Sequence, residues 1–164
     1  MKKILILLIS TLTLTSLHAQ KFGFIDSQEL LLLMPERKTA ETELQEYEKS
    51  LEASLAAMMS EYQQSVENFQ ANESTYSDLI KKDKYAEIAG LEQRIQSFEQ
   101  NAKQSLLSRQ QELFEPLLEK ARNAINEVAE EGKYTYIFDK SMGTLLYAEE
   151  SENIISKVKK KLGL

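Results

Sequence analysis

PERKTAETELQEYEKSLEASLAAMMSEYQQSVENFQANESTYSD, residues 35–78, opens the stretch that decides the fold. It begins a run from Glu36 to Glu131 that is rich in Glu, Gln, Lys, Ala and Leu. The run holds one glycine, Gly90, and is bracketed and split by the chain's only prolines, Pro35 and Pro116. Straight side chains lose little rotamer freedom in a helix and no proline interrupts the ladder before Pro116, so the run predicts helix. From Leu44 a four-three alternation passes through Glu48, Leu51, Leu55, Met58, Tyr62, Ser65, Phe69, Asn72, Tyr76 and Leu79. Eight of these eleven positions are apolar or aromatic, which is a coiled-coil seam with polar breaks at Glu48, Ser65 and Asn72. A second series runs from Ile88 through Leu91, Ile95, Phe98 and Ala102, then slips near Ser105 and resumes at Leu106. Two amphipathic helices joined by a short connection predict an antiparallel hairpin.

The prolines suggest where the hairpin turns. If Pro35 and Pro116 stand at the same height, the tip falls within Asn72-Glu73-Ser74-Thr75-Tyr76-Ser77, the poorest helical stretch, with Ser77 and Asp78 capping the return helix. Lys81-Lys82-Asp83-Lys84, at the centre of Glu36 to Glu131, is the rival tip. Limbs of roughly 38 residues would reach on the order of 55–60 Å at about 1.5 Å per residue. Pro116 should end this arm. The segment after it, with a broad apolar face of Leu117, Leu118, Ala121, Ala124, Ile125 and Val128, should rejoin a body and stop in a left-handed cap at Gly132.

The two ends of the chain supply that body. Lys21 to Asp26 reads as a strand with Phe22 and Phe24 on one face, and Asp26 or Ser27 as the cap of a short buried helix, Leu30 to Leu33. Tyr134 to Asp139 is the strongest strand signal, Thr144 to Ala148 a third strand, and Ser151 the cap of a last helix ending at Leu162. The domain layout is therefore 20–34 and 117–164 as a β-containing body and 35–116 as an arm with its tip near 72–78. About 60 residues make a marginal core, so oligomerisation is expected.

Ahead of this stand Met1-Lys2-Lys3, an uncharged run from Ile4 to Leu17, and Ala19. That is the pattern of a secretory signal peptide cleaved after Ala19, with a retained anchor as the other reading of the same run. Cleavage leaves 18 basic against 26 acidic residues, net −8, and removes His18. The acidic balance argues against nucleic acid. A chain without histidine or cysteine lacks the usual zinc, haem and thiol chemistry, so neither metal nor cofactor is expected. Asp26 and Asp139 form a carboxylate pair if their strands are neighbours, but each ends a strand where a cap needs such a residue, so no catalytic residue is expected.

Phe22-Gly23-Phe24-Ile25-Asp26-Ser27 with Met34-Pro35-Glu36, Phe114-Glu115-Pro116 leading to Ala124-Ile125-Asn126-Glu127-Val128-Ala129, and Tyr134 to Asp139 before Leu145-Leu146-Tyr147-Ala148 resemble the Skp (OmpH-like) periplasmic chaperones. The resemblance spans essentially the whole mature chain. It implies a mostly helical α+β fold, a small β body that becomes barrel-like in a homotrimer, and long antiparallel coiled-coil hairpin arms enclosing a cavity for unfolded outer-membrane proteins. It also implies an ATP-independent periplasmic holdase without enzymatic activity or cofactor. The family's well-known members are strongly basic, whereas Glu36 to Glu131 holds 11 basic and 20 acidic residues, net −9.

On that reading, the arm contacts clients through Met58, Met59, Tyr62, Val66, Phe69, Tyr85, Phe98, Leu107 and Phe114, methionine being adaptable to many partners. Phe22, Phe24, Leu30, Tyr136, Phe138, Leu145 and Tyr147 form the trimer body. Lys81, Lys82 and Lys84 offer a weak membrane-surface contact. A periplasmic coiled-coil adaptor or spacer is the alternative, and it would keep a regular heptad; the breaks at Ser65 and Asn72 favour flexible jaws.

Overall fold

A computed structural model describes residues 20–164. The signal segment and its cleavage after Ala19 lie outside the described residues. The chain divides into two compact units, 20–30 with 121–164, and 31–120.

The unit of residues 31–120 is a helical hairpin. Its first limb is helix α2 (Pro35–Asn72), 38 residues and so about 57 Å long. Met34 before it is extended, at φ −76° and ψ 122°, as a residue preceding proline prefers, and Pro35 takes the first turn, where its missing N–H costs nothing. A 3₁₀ turn at Glu73–Thr75 makes the tip. The return helix α3 starts at Asp78, with the Ser77 hydroxyl accepting from the Ile80 N–H at 3.4 Å. The tip therefore lies where the weak helix formers put it, and Lys81–Lys84 are helical.

Between the limbs runs a narrow seam. Leu44, Leu51, Leu55, Met58, Tyr62 and Ser65 are half-buried and Phe69 is buried; from the other limb come Ile88, Leu91, Ile95, Phe98 and Ala102. Tyr47 occupies the seam at the height expected for Glu48, which is exposed. Leu44, Tyr47, Leu51 and Leu55 step by three, four and four residues, an eleven-residue spacing that follows a straighter helix than a strict heptad does. Leu79, counted into the seam, is 70% exposed because it sits on the first turn beyond the tip. Cross-limb pairs Glu61–Arg94, Glu43–Arg109 and Glu36–Lys120 join the limbs and bring Pro35 to within a few residues of the height of Pro116.

Pro116 does not end the helix. α3 runs unbroken over Asp78–Gly132, 55 residues. Proline removes one ladder bond, to the carbonyl of Glu112, but half-buried Leu113 and Phe114 before it and buried Leu117 after it keep their face inward.

In the other unit, strand β1 (Phe22–Ile25) pairs in parallel with β2 (Tyr136–Asp139), in the register Phe22 to Tyr136 and Ile25 to Asp139. Helix α1 (Ser27–Leu33) follows β1, and Asp26 caps it by accepting from the Glu29 N–H at 2.9 Å. Of its leucines only Leu30 is fully buried; Leu32 and Leu33 are exposed, because a single short helix turns half of an all-apolar run outward. The core joins Phe24, Ile25 and Leu30 to Ala121, Ala124 and Val128 of α3 and to Ile154 and Val158. Val158 belongs to helix α4 (Ile155–Leu162), which is capped by Asn153 accepting from the Ile155 N–H at 3.0 Å, not by Ser151.

Two further expectations change. Thr144 to Ala148 forms no strand: it has no ladder partner among the described residues, so its β-forming side chains cannot be used. At the end of α3 the left-handed residue is Lys133, φ 53°, while Gly132 ends the helix proper. The Tyr134 N–H reaches the Ala129 carbonyl at 2.9 Å and the Lys133 N–H that of Glu130 at 3.1 Å, a Schellman arrangement. Gly132 is needed for space instead: a Cβ there would lie 2.3 Å from Cε2 of Tyr134.

Candidate functional site

Each face of the seam leaves side chains uncovered, and the arm's candidate client residues divide accordingly. Met59, Tyr85 and Leu107 are exposed, although the Tyr85 ring also packs against Phe69 across the seam. Met58, Tyr62, Val66, Phe98 and Phe114 are half-buried, with one edge in the seam and one in solvent. Phe69 is buried, its ring 4.6 Å from Tyr85 and 6.2 Å from Tyr76 between centroids. Such aromatic pairs add on the order of 1 kcal/mol to burial, so Phe69 locks the tip in this conformation.

At the tip, Lys81 is half-buried and Lys82 exposed, while Lys84 is hydrogen-bonded to Glu87 at 2.7 Å, which raises its pKa. Exposed Leu79 and Ile80 stand beside these lysines; Leu79 was counted into the seam and Ile80 was not singled out. Two adjacent apolar residues cannot both face one seam, and that signal was in the sequence. Leu118, expected on the broad apolar face after Pro116, is exposed for the same reason, as the neighbour of buried Leu117.

The body residues also divide. Phe24 and Leu30 are core. Phe22, Tyr136 and Phe138 are exposed, although alternation and the register of Phe22 with Tyr136 and Phe24 with Phe138 put them on the same face of the sheet as Phe24. Phe22 and Tyr136 stack with centroids 6.0 Å apart, and Phe138 lies 6.3 Å from Phe22. Leu145 is half-buried and Tyr147 is 84% exposed.

The carboxylates of Asp26 and Asp139 are occupied structurally. Asp139 accepts from the Ser27 N–H at 3.2 Å, the Ser27 hydroxyl at 2.5 Å and the Ser141 N–H at 2.9 Å. Burial pushes its carboxyl up, but the Ser27 and Ser141 hydrogen bonds together outweigh that and hold it below the ordinary range. In the arm, the hydrogen bond from Lys120 lowers the pKa of Glu36. Among the described residues no group of three or more acidic, His or Cys side chains converges to hold a metal. Among them, too, no helix is long and apolar enough to cross a membrane.

Comparison with known proteins agrees with this architecture. A family model described as "Outer membrane protein (OmpH-like)" matches residues 21–162. The crystal structure of a proposed OmpH-like outer membrane chaperone from Caulobacter crescentus aligns with a TM-score of 0.77 and 13% sequence identity, covering 90% of this chain and 86% of that one. At that identity the likeness is one of fold. No curated protein matches the sequence. With nearly all of its described length covered by the family model, the chain belongs to the OmpH-like outer membrane protein family.

Proposed function

We propose that the protein is an ATP-independent holdase chaperone of the periplasm, which keeps unfolded outer-membrane β-barrel proteins soluble between its helical arms. A holdase needs no chemistry: binding the unfolded chain lowers its free concentration and so suppresses aggregation. The observation that carries this reading is the arm itself, in a chain of the OmpH-like family. Its seam is narrow, and Met59, Tyr85 and Leu107 stay largely exposed on the two limbs. With net −9 on Glu36 to Glu131, the grip on clients is apolar and shape-based rather than electrostatic.

The working form is a homotrimer. Supporting this, the sheet presents the stacked rings of Phe22, Tyr136 and Phe138 to solvent, and strand-forming Thr144 to Ala148 has no ladder partner among the described residues. A neighbouring subunit would cover the first and pair with the second. Lys81, Lys82 and Lys84 supply a weak membrane-surface contact.

The test dilutes a urea-unfolded outer-membrane β-barrel into buffer with three chains per client and follows light scattering. Suppressed scattering, with a trimer in sedimentation, is expected. Full aggregation of the client beside a folded protein would overturn the proposal.

A further inference from the structure

Of the two glycines of α3, Gly90 has no internal reason to be glycine. Gly90 lies within α3, is exposed, and a Cβ built on it would meet nothing within 4 Å. Glycine in a helix interior is about 1 kcal/mol less favourable than alanine. A missing side chain that no internal neighbour requires is what close approach of an external backbone would use.

What surrounds it has the chemistry for such an approach. Gly90, Gln93, Ser97 and Asn101, with Met58, Arg94 and Phe98, line a groove of about 450 Å³. Farther along α3, Gln104 and Ser108, with Arg109 and Glu112, line a second one of about 460 Å³. The charged members are in ion pairs, Arg94 with Glu61 and Arg109 with Glu43 and Glu112, which leaves Gly90, Gln93, Ser97, Asn101, Gln104 and Ser108 as the uncharged groups. From Gly90 to Ser108, steps of three and four residues place these uncharged groups on one face beside the seam, over about 27 Å of helix. Gln93, Ser97, Asn101, Gln104 and Ser108 are exposed, and their side chains make no hydrogen bond with another described residue. In a chain whose residues are 28% charged, this is a track of free amides and hydroxyls with apolar Met58 and Phe98 in its wall.

Building on the holdase reading, we propose that this track is where the arm grips its client. An extended segment of unfolded polypeptide lies along it, about eight residues long at about 3.3 Å each. Its backbone N–H and C=O groups bond to the amide and hydroxyl side chains, and one apolar side chain enters beside Gly90 against Met58 and Phe98. With its charged side chains already paired, the lining offers free amides and hydroxyls to an extended backbone. It disfavours a second arm as occupant, since the backbone groups of a helix are already bonded to one another.

The test compares Gly90→Leu and Gly90→Ala with Gln96→Leu, which adds the same side chain to α3 away from the track, in the full mature protein. The affinity of each for a dye-labelled, urea-unfolded outer-membrane β-barrel is measured, with circular dichroism confirming helix content. Gly90→Leu should weaken binding about tenfold while raising thermal stability, Gly90→Ala should weaken it by less, and Gln96→Leu should bind as the parent protein does. Parent-like binding by folded Gly90→Leu overturns the track. Equal losses for Ala and Leu overturn it too, because they mean that helix rigidity and not space is read. Failure of the parent protein itself to hold the client refutes the holdase reading instead.

Discussion

The same substitution in the same helix should have opposite signs at its two glycines. At Gly132, a Cβ would lie 2.3 and 2.6 Å from two atoms of the Tyr134 ring, closer than real contacts allow. The ring has little room to yield. A Cβ position on Gly23 would already be 2.9 Å away from it, its hydroxyl holds Lys157 Nζ at 2.7 Å, and Lys21 Nζ lies 4.1 Å over its centroid while donating to the Gly132 carbonyl. Overpacking of this kind costs about 1–3 kcal/mol. The helix-propensity gain of alanine, at most about 1 kcal/mol and smaller on the last residue of a helix, does not offset it. At Gly90 nothing opposes that gain. For a chain of this length 1 kcal/mol moves Tm by about 2–4 °C. Gly132→Ala should therefore lower Tm by roughly 2–8 °C and Gly90→Ala raise it by roughly 1–4 °C. The assay is thermal melting by circular dichroism at 222 nm, at one fixed protein concentration because self-association shifts Tm. The Tyr134→Ala background supplies the control: with the ring gone, Gly132→Ala should cost nothing. A rise in Tm for Gly132→Ala in the parent protein would refute the steric account.

Asp139→Asn removes charge from a carboxylate that joins the start of α1 to the end of β2, and should cost about 1–2 kcal/mol near pH 7 after allowance for its partial exposure. Since its folded pKa is lowered, this contribution is complete above the unfolded value of about 3.9 and fades as pH falls through the folded value. Urea unfolding at pH 7 and pH 3 should show parent and variant converging at the lower pH, and a gap independent of pH would contradict the assignment. Lys133→Gly relieves a left-handed conformation that costs a side-chain-bearing residue on the order of 1 kcal/mol. It should raise the urea midpoint without changing the m-value, whereas Lys133→Val should lower it.

Most of the arm could be read from local rules. Pro35, the run of poor helix formers at Asn72–Ser77 and the spacing of Leu51, Leu55, Met58, Tyr62 and Phe69 each act within a few residues of themselves, so the limb and its tip followed from the chain. What failed needed two limbs at once. Tyr47 and Glu48 are both compatible with a seam one turn from Leu44, and only the eleven-residue spacing to Leu55 selects Tyr47. Pro116 marks the end of the arm in the sequence, and a proline inside a helix loses a bond. Inward-facing residues on both sides of it, absent from any propensity, carry the helix on to Gly132.

The body was less legible because its pairings span most of the chain. β1 and β2 are parallel neighbours separated by 110 residues, and parallel strands need a long crossover, here the entire arm. Nothing near Phe22 or Tyr136 in sequence encodes that pairing, though the shared aromatic character of the two strands hinted at a common face. Thr144 to Ala148 shows the opposite failure. Its Leu-Leu-Tyr core has the composition of a strand, but a strand exists only with a partner edge, and propensity does not say which chain supplies the edge. The exposed rings of Phe22, Tyr136 and Phe138 pose the same question on the face of the sheet. Both features are costly in a monomer and become favourable at a subunit interface, so the residues that a single chain leaves unsatisfied are those that would define its assembly.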